Sequence, residues 1–131
     1  FNHNGREAVA TVQPDLRTKW LNKFSLSFHI YFIDCTPFKI VQTLETEVNI
    51  KDNNEYSIYI VDFIGKSNQG YGSILMQEFL DYIKQMPVKL VHGFLSEVDL
   101  QRSEEHKELL FHFYKKFGFE ITEKNKIYLK L

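Results

Sequence analysis

The sequence has few of the residues that mark extracellular, metal-binding or membrane-spanning proteins. Its 131 residues include one cysteine, Cys35, so no intrachain disulfide can form. No CxxC pair or Cys/His cluster accompanies it, so we expect no metal site and a reducing, cytoplasmic location. No apolar run is long enough to span a bilayer and no signal peptide is visible, so we expect no membrane partner.

Neither sign of charge dominates the chain, which has 16 Lys and Arg residues against 17 Asp and Glu residues. A balance of this kind creates no general field that attracts nucleic acid, so we expect no nucleic-acid partner. The hydrophobic fraction of 44% is sufficient for one core. No repeat or Gly/Ser linker divides the chain, so residues 1–131 are predicted to form a single domain.

The first half of the chain contains the patterns of β-strands. Strict alternation of apolar and polar residues predicts a half-buried strand over Phe24–Ile33, and a second alternation predicts another over Phe38–Ile50. Tyr56–Ile64 is apolar at nearly every position, which is typical of a strand buried on both faces. Short polar connections favour an antiparallel meander. Before it, Phe1–Pro14 shows little organisation, and Asp15–Lys23 is predicted to be a short helix.

The second half of the chain alternates between helix and strand patterns. A helical apolar stripe covers Gly72–Gln85, and a short apolar strand follows over Val88–Leu95. A strand, helix and strand in this order predict parallel neighbours. A second helix is predicted over Ser103–Phe117, followed by a hairpin of Phe119–Thr122 and Lys126–Leu131. The fold class is therefore α/β (α+β), with a mixed, mostly antiparallel sheet flanked by helices and a β-α-β-α-β-β C-terminal portion.

A glycine-containing loop precedes the first of these helices and runs from Ser67 to Ser73. Gly70 and Gly72 stand where the loop enters the helix, and glycines allow an anion to approach the free amides of a helix N-terminus. A plain strand-to-helix turn explains the same pattern. The nucleotide loop G-x-x-x-x-G-K-[ST] is absent, as is the dinucleotide motif G-x-G-x-x-G.

A second motif lies at the end of the predicted C-terminal helix. Tyr114, Lys116, Gly118 and Phe119 match the pattern Y-x-K-x-G-F. Gly118 suits the left-handed residue after a helix, which places Tyr114 on the last helical turn. Together, and in this order, the glycine loop and this motif resemble the GNAT superfamily of acyl-coenzyme A-dependent N-acyltransferases.

The resemblance extends over roughly Phe24 to Leu131, and it includes two departures. The family's [QR]-x-x-G-x-[GA] loop aligns its two small positions with the two loop glycines, but Ser67 stands at its Gln or Arg position. Many members also have an Asn just after the family's fifth strand, which corresponds to Val88–Leu95 here; this chain has no Asn at that point, and Ser96 is the candidate replacement. The part of the family that shapes the acceptor site is poorly represented before Phe24.

The resemblance implies acetyl-coenzyme A as co-substrate, bound between two strands that separate. Backbone groups of one strand would pair with pantetheine, namely those of Ile60, Val61, Asp62, Phe63 and Ile64. The amides of the loop would hold the pyrophosphate, namely those of Gln69, Gly70, Tyr71, Gly72 and Ser73. Lys115 and Lys116 would steer the phosphates or simply complement the end of their helix.

The resemblance also implies that Tyr114 lies beside the coenzyme sulfur and protonates the leaving thiolate. Its phenol has an ordinary pKa of about 10, so it is protonated at neutral pH. A base must also take a proton from the acceptor ammonium, and Asp62 and Glu97 are the candidate carboxylates. His29 and His92 are interpreted as structural residues. Cys35 has no evident activating partner in the sequence, which disfavours covalent catalysis.

The sequence thus predicts an N-acetyltransferase that transfers an acetyl group from acetyl-coenzyme A to a primary amine by direct attack. The alternative is a non-catalytic acyl-coenzyme A-binding or protein-interaction module on the same scaffold. A small amine, an antibiotic, an amino acid and a protein or peptide N-terminus are all possible acceptors. A homodimer also stays open.

Overall fold

The computed structural model describes residues 1–15, 22–65 and 69–131. Strands β1 (Asn2–His3) and β2 (Arg6–Asp15) form an antiparallel hairpin. Its turn residues have positive φ, 53° at Asn4 and 76° at Gly5. Asn-Gly with both φ angles positive is the sequence that a tight two-residue hairpin prefers. The expectation of little organisation over Phe1–Pro14 is therefore wrong.

The predicted antiparallel meander is confirmed. It consists of β3 (Lys23–Phe32), β4 (Lys39–Ile50) and β5 (Tyr56–Gly65), and β2 pairs with β3 on its outer side. The helix predicted for Asp15–Lys23 falls mostly outside the described residues. Its two ends belong to β2 and β3.

The helix and strand pattern of the second half is also confirmed. Helix α1 (Tyr71–Ile83) leads to β6 (Val88–Phe94), which runs parallel to β5. A five-residue helix that the sequence did not reveal, α2 (Glu97–Gln101), precedes α3 (Glu104–Lys116). The short strands β7 (Glu120–Ile121) and β8 (Lys126–Lys130) then form a hairpin.

These strands form an eight-stranded sheet in the order β1-β2-β3-β4-β5-β6-β8-β7. Its core face packs against α1. Val48, Ile58 and Val91 are register partners on three neighbouring strands, and each side chain has no exposed surface. Phe79 of α1 packs edge-on against Phe28, with ring centroids 5.1 Å apart. Burying one such side chain stabilises the fold by about 1.5–3 kcal/mol.

Strand β5 is mostly buried in its first half and mostly exposed in its second half. Ile58 and Ile60 are 0% and 6% exposed, whereas Val61 and Ile64 are 56% and 58% exposed. The sequence pattern predicted burial throughout. The second half of β5 is exposed because β6 pairs with β5 only as far as Ile60.

None of the helices in the described ranges is long and apolar enough to cross a membrane. Across the same residues, no group of three or more His, Cys, Asp and Glu side chains is placed to hold a metal ion.

Candidate functional site

The site lies where two parallel strands separate. The last register pair between β5 and β6 joins Ile60 to Gly93. Beyond it, β5 continues from Val61 to Gly65 and pairs with β4 alone among the described strands. A β-bulge marks the separation, since Glu45 pairs with Asp62 and the next β4 residue pairs with Ile60. The free edge offers backbone N–H and C=O groups to an extended ligand.

A cleft of about 560 Å³ opens between this free edge and helices α1, α2 and α3. That volume is typical of a site for a small molecule or cofactor. The cleft has apolar walls formed by Phe63, Ile64, Leu109, Leu110 and Phe113. Phe63 and Phe113 are stacked, with ring centroids 5.6 Å apart. Its basic side chains are Arg102, His106, His112 and Lys116. The cleft thus suits a ligand with an apolar part and a negatively charged part.

The N-terminus of α1 forms one end of the cleft. Gly70 caps the helix with φ of 82°, and no side chain caps it. The first helical hydrogen bond runs from Ile74 N to Gly70 O at 3.1 Å. The N–H groups of Tyr71, Gly72 and Ser73 therefore have no partner within the helix, and they carry the positive end of its dipole.

Gly72 lines the cleft at this helix start and leaves its wall without a side chain there. A Cβ added there would lie 3.7 Å from the ring of Phe63 and 3.8 Å from that of Phe113. These are ordinary contact distances, so the backbone tolerates a side chain, but the side chain would fill the space between the two rings. Close approach to the amides needs a residue without one.

Lys116 brings a cation to the same end of the cleft. Its Nζ atom donates to Ser73 Oγ in the first turn of α1 at 3.1 Å. The ammonium also lies 5.1 Å from the ring centroid of Phe117. A helix N-terminus and an ammonium together form an arrangement that favours a phosphate group.

The side chain of Tyr71 is turned away from the cleft. It is 2% exposed, and its hydroxyl donates to the carbonyl of His3 at 3.2 Å. Of the predicted contacts of this residue, only a contact through the backbone amide fits the structure. Ser67, the departure from the family pattern, lies outside the described residues.

Tyr114 lies in the last turns of α3, as predicted, but it is buried behind the cleft and not part of its surface. It is 5% exposed and packs edge-on against Phe113 and Phe119, with centroids 5.2 and 5.5 Å away. Burial, followed by the negative charges of Asp99 and Asp62, raises the pKa of Tyr114 well above its ordinary value. The phenol is therefore protonated across the physiological pH range.

The candidate carboxylates occupy different places. Asp62 is exposed on the free edge of β5 and lines the cleft. Glu97 and Ser96 are exposed at the start of α2, and neither is part of the cleft wall. Asp99, which the sequence reasoning did not single out, is half-buried and lines the cleft. The five-residue α2 has no periodic pattern in the sequence from which the inward direction of this residue could be predicted.

His92 is a second residue that sequence reasoning set aside. It precedes Gly93 on β6, next to the point of strand separation, and its ring centroid lies 5.3 Å from that of Tyr59 on β5. Burial, followed by the positive charges of Lys126 and Lys51, lowers the pKa of His92. The imidazole is therefore neutral at neutral pH and able to accept a proton. Only the parallel register brings it beside Tyr59.

No protein-family profile matches the sequence, and no curated protein does either. Solved structures do match. A structure of Arabidopsis thaliana Naa50 with the bisubstrate analogue CoA-Ac-MVNAL has a TM-score of 0.56 at 22% identity, covering 78% of this chain and 68% of that one. Arabidopsis thaliana NAA60 in complex with acetyl-CoA has a TM-score of 0.57 at 11% identity, covering 80% and 74%.

A putative acetyltransferase of the GNAT family from Desulfovibrio desulfuricans matches with a TM-score of 0.50 at 14% identity, covering 81% of this chain and 69% of that one. These similarities, together with the sheet order and the separation of β5 from β6, show that the chain has the GNAT fold. The fold class predicted from the sequence is confirmed.

Proposed function

We propose that this protein is an N-acetyltransferase that transfers the acetyl group of acetyl-coenzyme A to a primary amine by direct attack. The observation that carries the proposal is the cleft at the strand separation, which combines a free β-edge with an uncapped helix N-terminus. The similar structures of NAA60 with acetyl-CoA and of Naa50 with a CoA-containing analogue support it.

The residues of the cleft suit the parts of coenzyme A. The diphosphate would be held by the amides of Tyr71, Gly72 and Ser73 and by Lys116, because all of them present positive charge or free donors at one point. Pantetheine would pair along the free edge of β5, from Ile60 to Ile64, as an added strand. Ser96 remains a predicted pantetheine contact from the opposite side.

When bound, acetyl-coenzyme A supplies a thioester, an acyl group already activated for attack by an amine. Cys35 lies in the turn between β3 and β4, and its thiol donates to Pro37 O at 3.7 Å. It is not part of the cleft wall. An acceptor positioned at the strand separation attacks directly, and positioning supplies much of the rate.

His92 is our preferred base for removing the proton of the acceptor ammonium. It lies next to Gly93 at the strand separation, outside the cleft wall like Glu97. Its lowered pKa leaves it neutral at neutral pH. A base whose pKa is near the working pH is more effective than an ordinary carboxylate. Asp62 on the cleft wall is the second candidate, and Glu97 outside it is the third.

Tyr114 is proposed as the acid that meets the departing thiolate. Its raised pKa keeps the proton on the phenol, and burial removes the water that would otherwise compete for the hydrogen bond. The ring lies behind the cleft wall, so the acid role requires the thioester sulfur to bind within hydrogen-bond reach of the phenol oxygen.

We propose that the acceptor is the N-terminal amine of a peptide or protein. The similarity to Naa50 bound to a bisubstrate analogue that carries the peptide MVNAL supports this choice among the primary amines. Small amines, antibiotics and free amino acids are the competing acceptors.

A non-catalytic acyl-coenzyme A-binding module is the second candidate function. Two observations favour it: no Asn follows β6, and Ser96, the candidate replacement, is not part of the cleft wall. Such a protein would bind acyl-coenzyme A in the cleft without transferring the acyl group to an amine.

One experiment separates the two functions. The protein is incubated with acetyl-coenzyme A and a panel of amines that includes free-N-terminus peptides, and release of the coenzyme thiol is followed. Calorimetry measures coenzyme A binding in parallel. Thiol release that depends on one class of amine supports transfer. Binding without release from any amine supports the module, and the absence of binding contradicts both.

A further inference from the structure

The turn of the N-terminal hairpin contacts the loop that leads into α1. His3 Nε2 donates to the carbonyl of Gln69 at 2.7 Å, and Asn4 Nδ2 donates to the same oxygen at 3.2 Å. The residues are more than sixty positions apart in sequence, so no local turn imposes these bonds. Both lone pairs of one loop carbonyl are thus engaged by two neighbouring side chains.

These bonds fix the orientation of the Gln69–Gly70 peptide unit. In a trans peptide, the C=O and N–H groups point in opposite directions. Because the Gln69 carbonyl faces the hairpin, the N–H of Gly70 faces away from it. Gly70 lines the cleft. The hairpin therefore sets the direction of the Gly70 N–H group, the first amide before the start of α1.

The same hairpin also supports the loop by packing. The rings of His3 and Tyr71 meet edge-on with centroids 4.8 Å apart, and the Tyr71 hydroxyl donates to His3 O at 3.2 Å. A Cβ at Gly70 would lie only 2.9 Å from His3 Nε2, so the imidazole already fills the space beside that glycine. His3 therefore contacts three successive residues of the loop and helix start.

The hairpin is itself fixed to the sheet, so it can serve as a rigid support. Arg6 Nε donates to Asp34 Oδ2 at 2.6 Å and Arg6 Nη2 to Asp34 Oδ1 at 2.7 Å, which makes a bidentate ion pair. Ile33 N donates to Glu7 O at 3.1 Å. The positive φ values of Asn4 and Gly5 hold the turn that presents both donors.

We infer that His3 and Asn4 are positioning residues for coenzyme A: they hold the Gln69–Gly70 peptide unit with its amide turned towards the phosphate group. The inference rests on the proposed acetyl-coenzyme A function. The hairpin residues do not line the cleft, so they would act on the loop and not on the ligand. They lower the cost of ordering the loop when the phosphate binds.

The test uses substitutions that distinguish the loss of a hydrogen-bond donor from a change in side-chain shape. His3→Phe keeps a ring beside Tyr71 and removes the donor, whereas His3→Gln restores an N–H donor. Asn4→Asp keeps a side chain that tolerates the left-handed turn and removes the amide donor. Asn2→Ser is the control, because the Asn2 amide bonds to Glu7 within the hairpin. The readouts are coenzyme A affinity by calorimetry and amide hydrogen exchange at 70–72 in the free protein.

Two lost hydrogen bonds predict that the His3→Phe/Asn4→Asp variant binds coenzyme A about five- to tenfold more weakly and exchanges these amides faster. His3→Gln should recover most of the affinity lost in His3→Phe, and Asn2→Ser should match the wild type. Unchanged exchange in the free double variant overturns the inference whatever the affinity. Unchanged affinity in a wild type that binds coenzyme A overturns it while the proposed function stands. A wild type that binds no coenzyme A overturns both.

Discussion

Tyr114 combines two properties that an acid beside a thioester needs: it keeps its proton and it is shielded from water. The coenzyme thiol has a pKa near ~8.5, so its departure is easier when an O–H group donates to the developing charge. Tyr114→Phe retains the packing against Phe113 and Phe119 and removes only that group. We expect turnover to fall on the order of a hundredfold.

Coenzyme A affinity should change far less in this variant, and calorimetry provides that control. Unchanged turnover under conditions in which chemistry is rate-limiting would exclude the acid role and leave Tyr114 a structural side chain.

His92 predicts a specific pH dependence. A base works when it is deprotonated, so kcat/KM should rise with pH through the pKa of the free enzyme's His92. Because burial and nearby lysines lower that pKa, the acidic limb should lie below the ordinary histidine value of about 6.5. His92→Asn should remove this limb and reduce the rate. The matched variant Asp62→Asn should keep the limb where it is.

The opposite pattern, a limb lost with Asp62→Asn and kept with His92→Asn, would assign the base to the carboxylate.

Single residues differ in how far the sequence reveals them. Gly70 could be predicted to lie at a helix start, because the glycine and the apolar stripe after it are both local patterns. His92 and Asp99 could not be assigned to the site in the same way. Their positions depend on the register of β5 with β6 and on the direction of α2, and neither is encoded in the residues next to them.

At the scale of elements, the start of α1 should bind phosphate through its backbone. Gly72→Val would place a branched side chain on the cleft wall, against the rings of Phe63 and Phe113 and next to the free amides. We expect coenzyme A affinity, measured by calorimetry, to fall by about tenfold or more, since an amide–phosphate contact carries charge and is worth about 1.5–3 kcal/mol.

Gln77→Val is the matched control for the cost of valine in a helix, because Gln77 is exposed on the same helix, outside the cleft wall, and its side-chain amide donates to Asp81. Equal affinity in a folded Gly72→Val protein would rule out the backbone phosphate site.

The end of α3 offers a comparison between two adjacent lysines. Lys116 lines the cleft and bonds to Ser73, whereas Lys115 is exposed and outside the cleft wall. Lys116→Met should weaken coenzyme A binding several-fold and reduce its dependence on salt, because a phosphate loses a cation. Lys115→Met should do neither, and calorimetry at two ionic strengths measures both effects. Equal losses in the two variants would mean that the lysines act only through the general field.

Elements with strong periodicity were predictable, and those without it were not. The helix predicted to start at Ser103 does so, and the Ser103 hydroxyl caps α3 by accepting from His106 N at 3.0 Å. The five-residue α2 is too short to show a stripe. The N-terminal hairpin of β1 and β2 has a local sequence pattern, because the pair Asn4-Gly5 is typical of a tight β-turn.

At the scale of the whole molecule, the proposed function depends on two neighbouring strands of the sheet, β5 and β6, that separate along their length. The residues of β5 predict a buried strand, and its first half is buried. Its second half is exposed because pairing with β6 stops at Ile60 and Gly93, and a bulge at Val61 accompanies the change. Where two strands separate is a property of both strands and of the elements packed on them. A single sequence therefore revealed the fold class and the position of the helix start after Gly70, but not the shape of the cleft.

We propose that the protein transfers an acetyl group from coenzyme A to an amine at this cleft. The most direct measurement is the mass spectrum of a peptide with a free N-terminus after incubation with the protein and acetyl-coenzyme A. A copy with a blocked N-terminus and an incubation without protein serve as controls. We expect one added acetyl group at the free N-terminus and none on either control. An unmodified peptide, under conditions in which calorimetry shows acetyl-coenzyme A bound, would contradict transfer to a peptide amine.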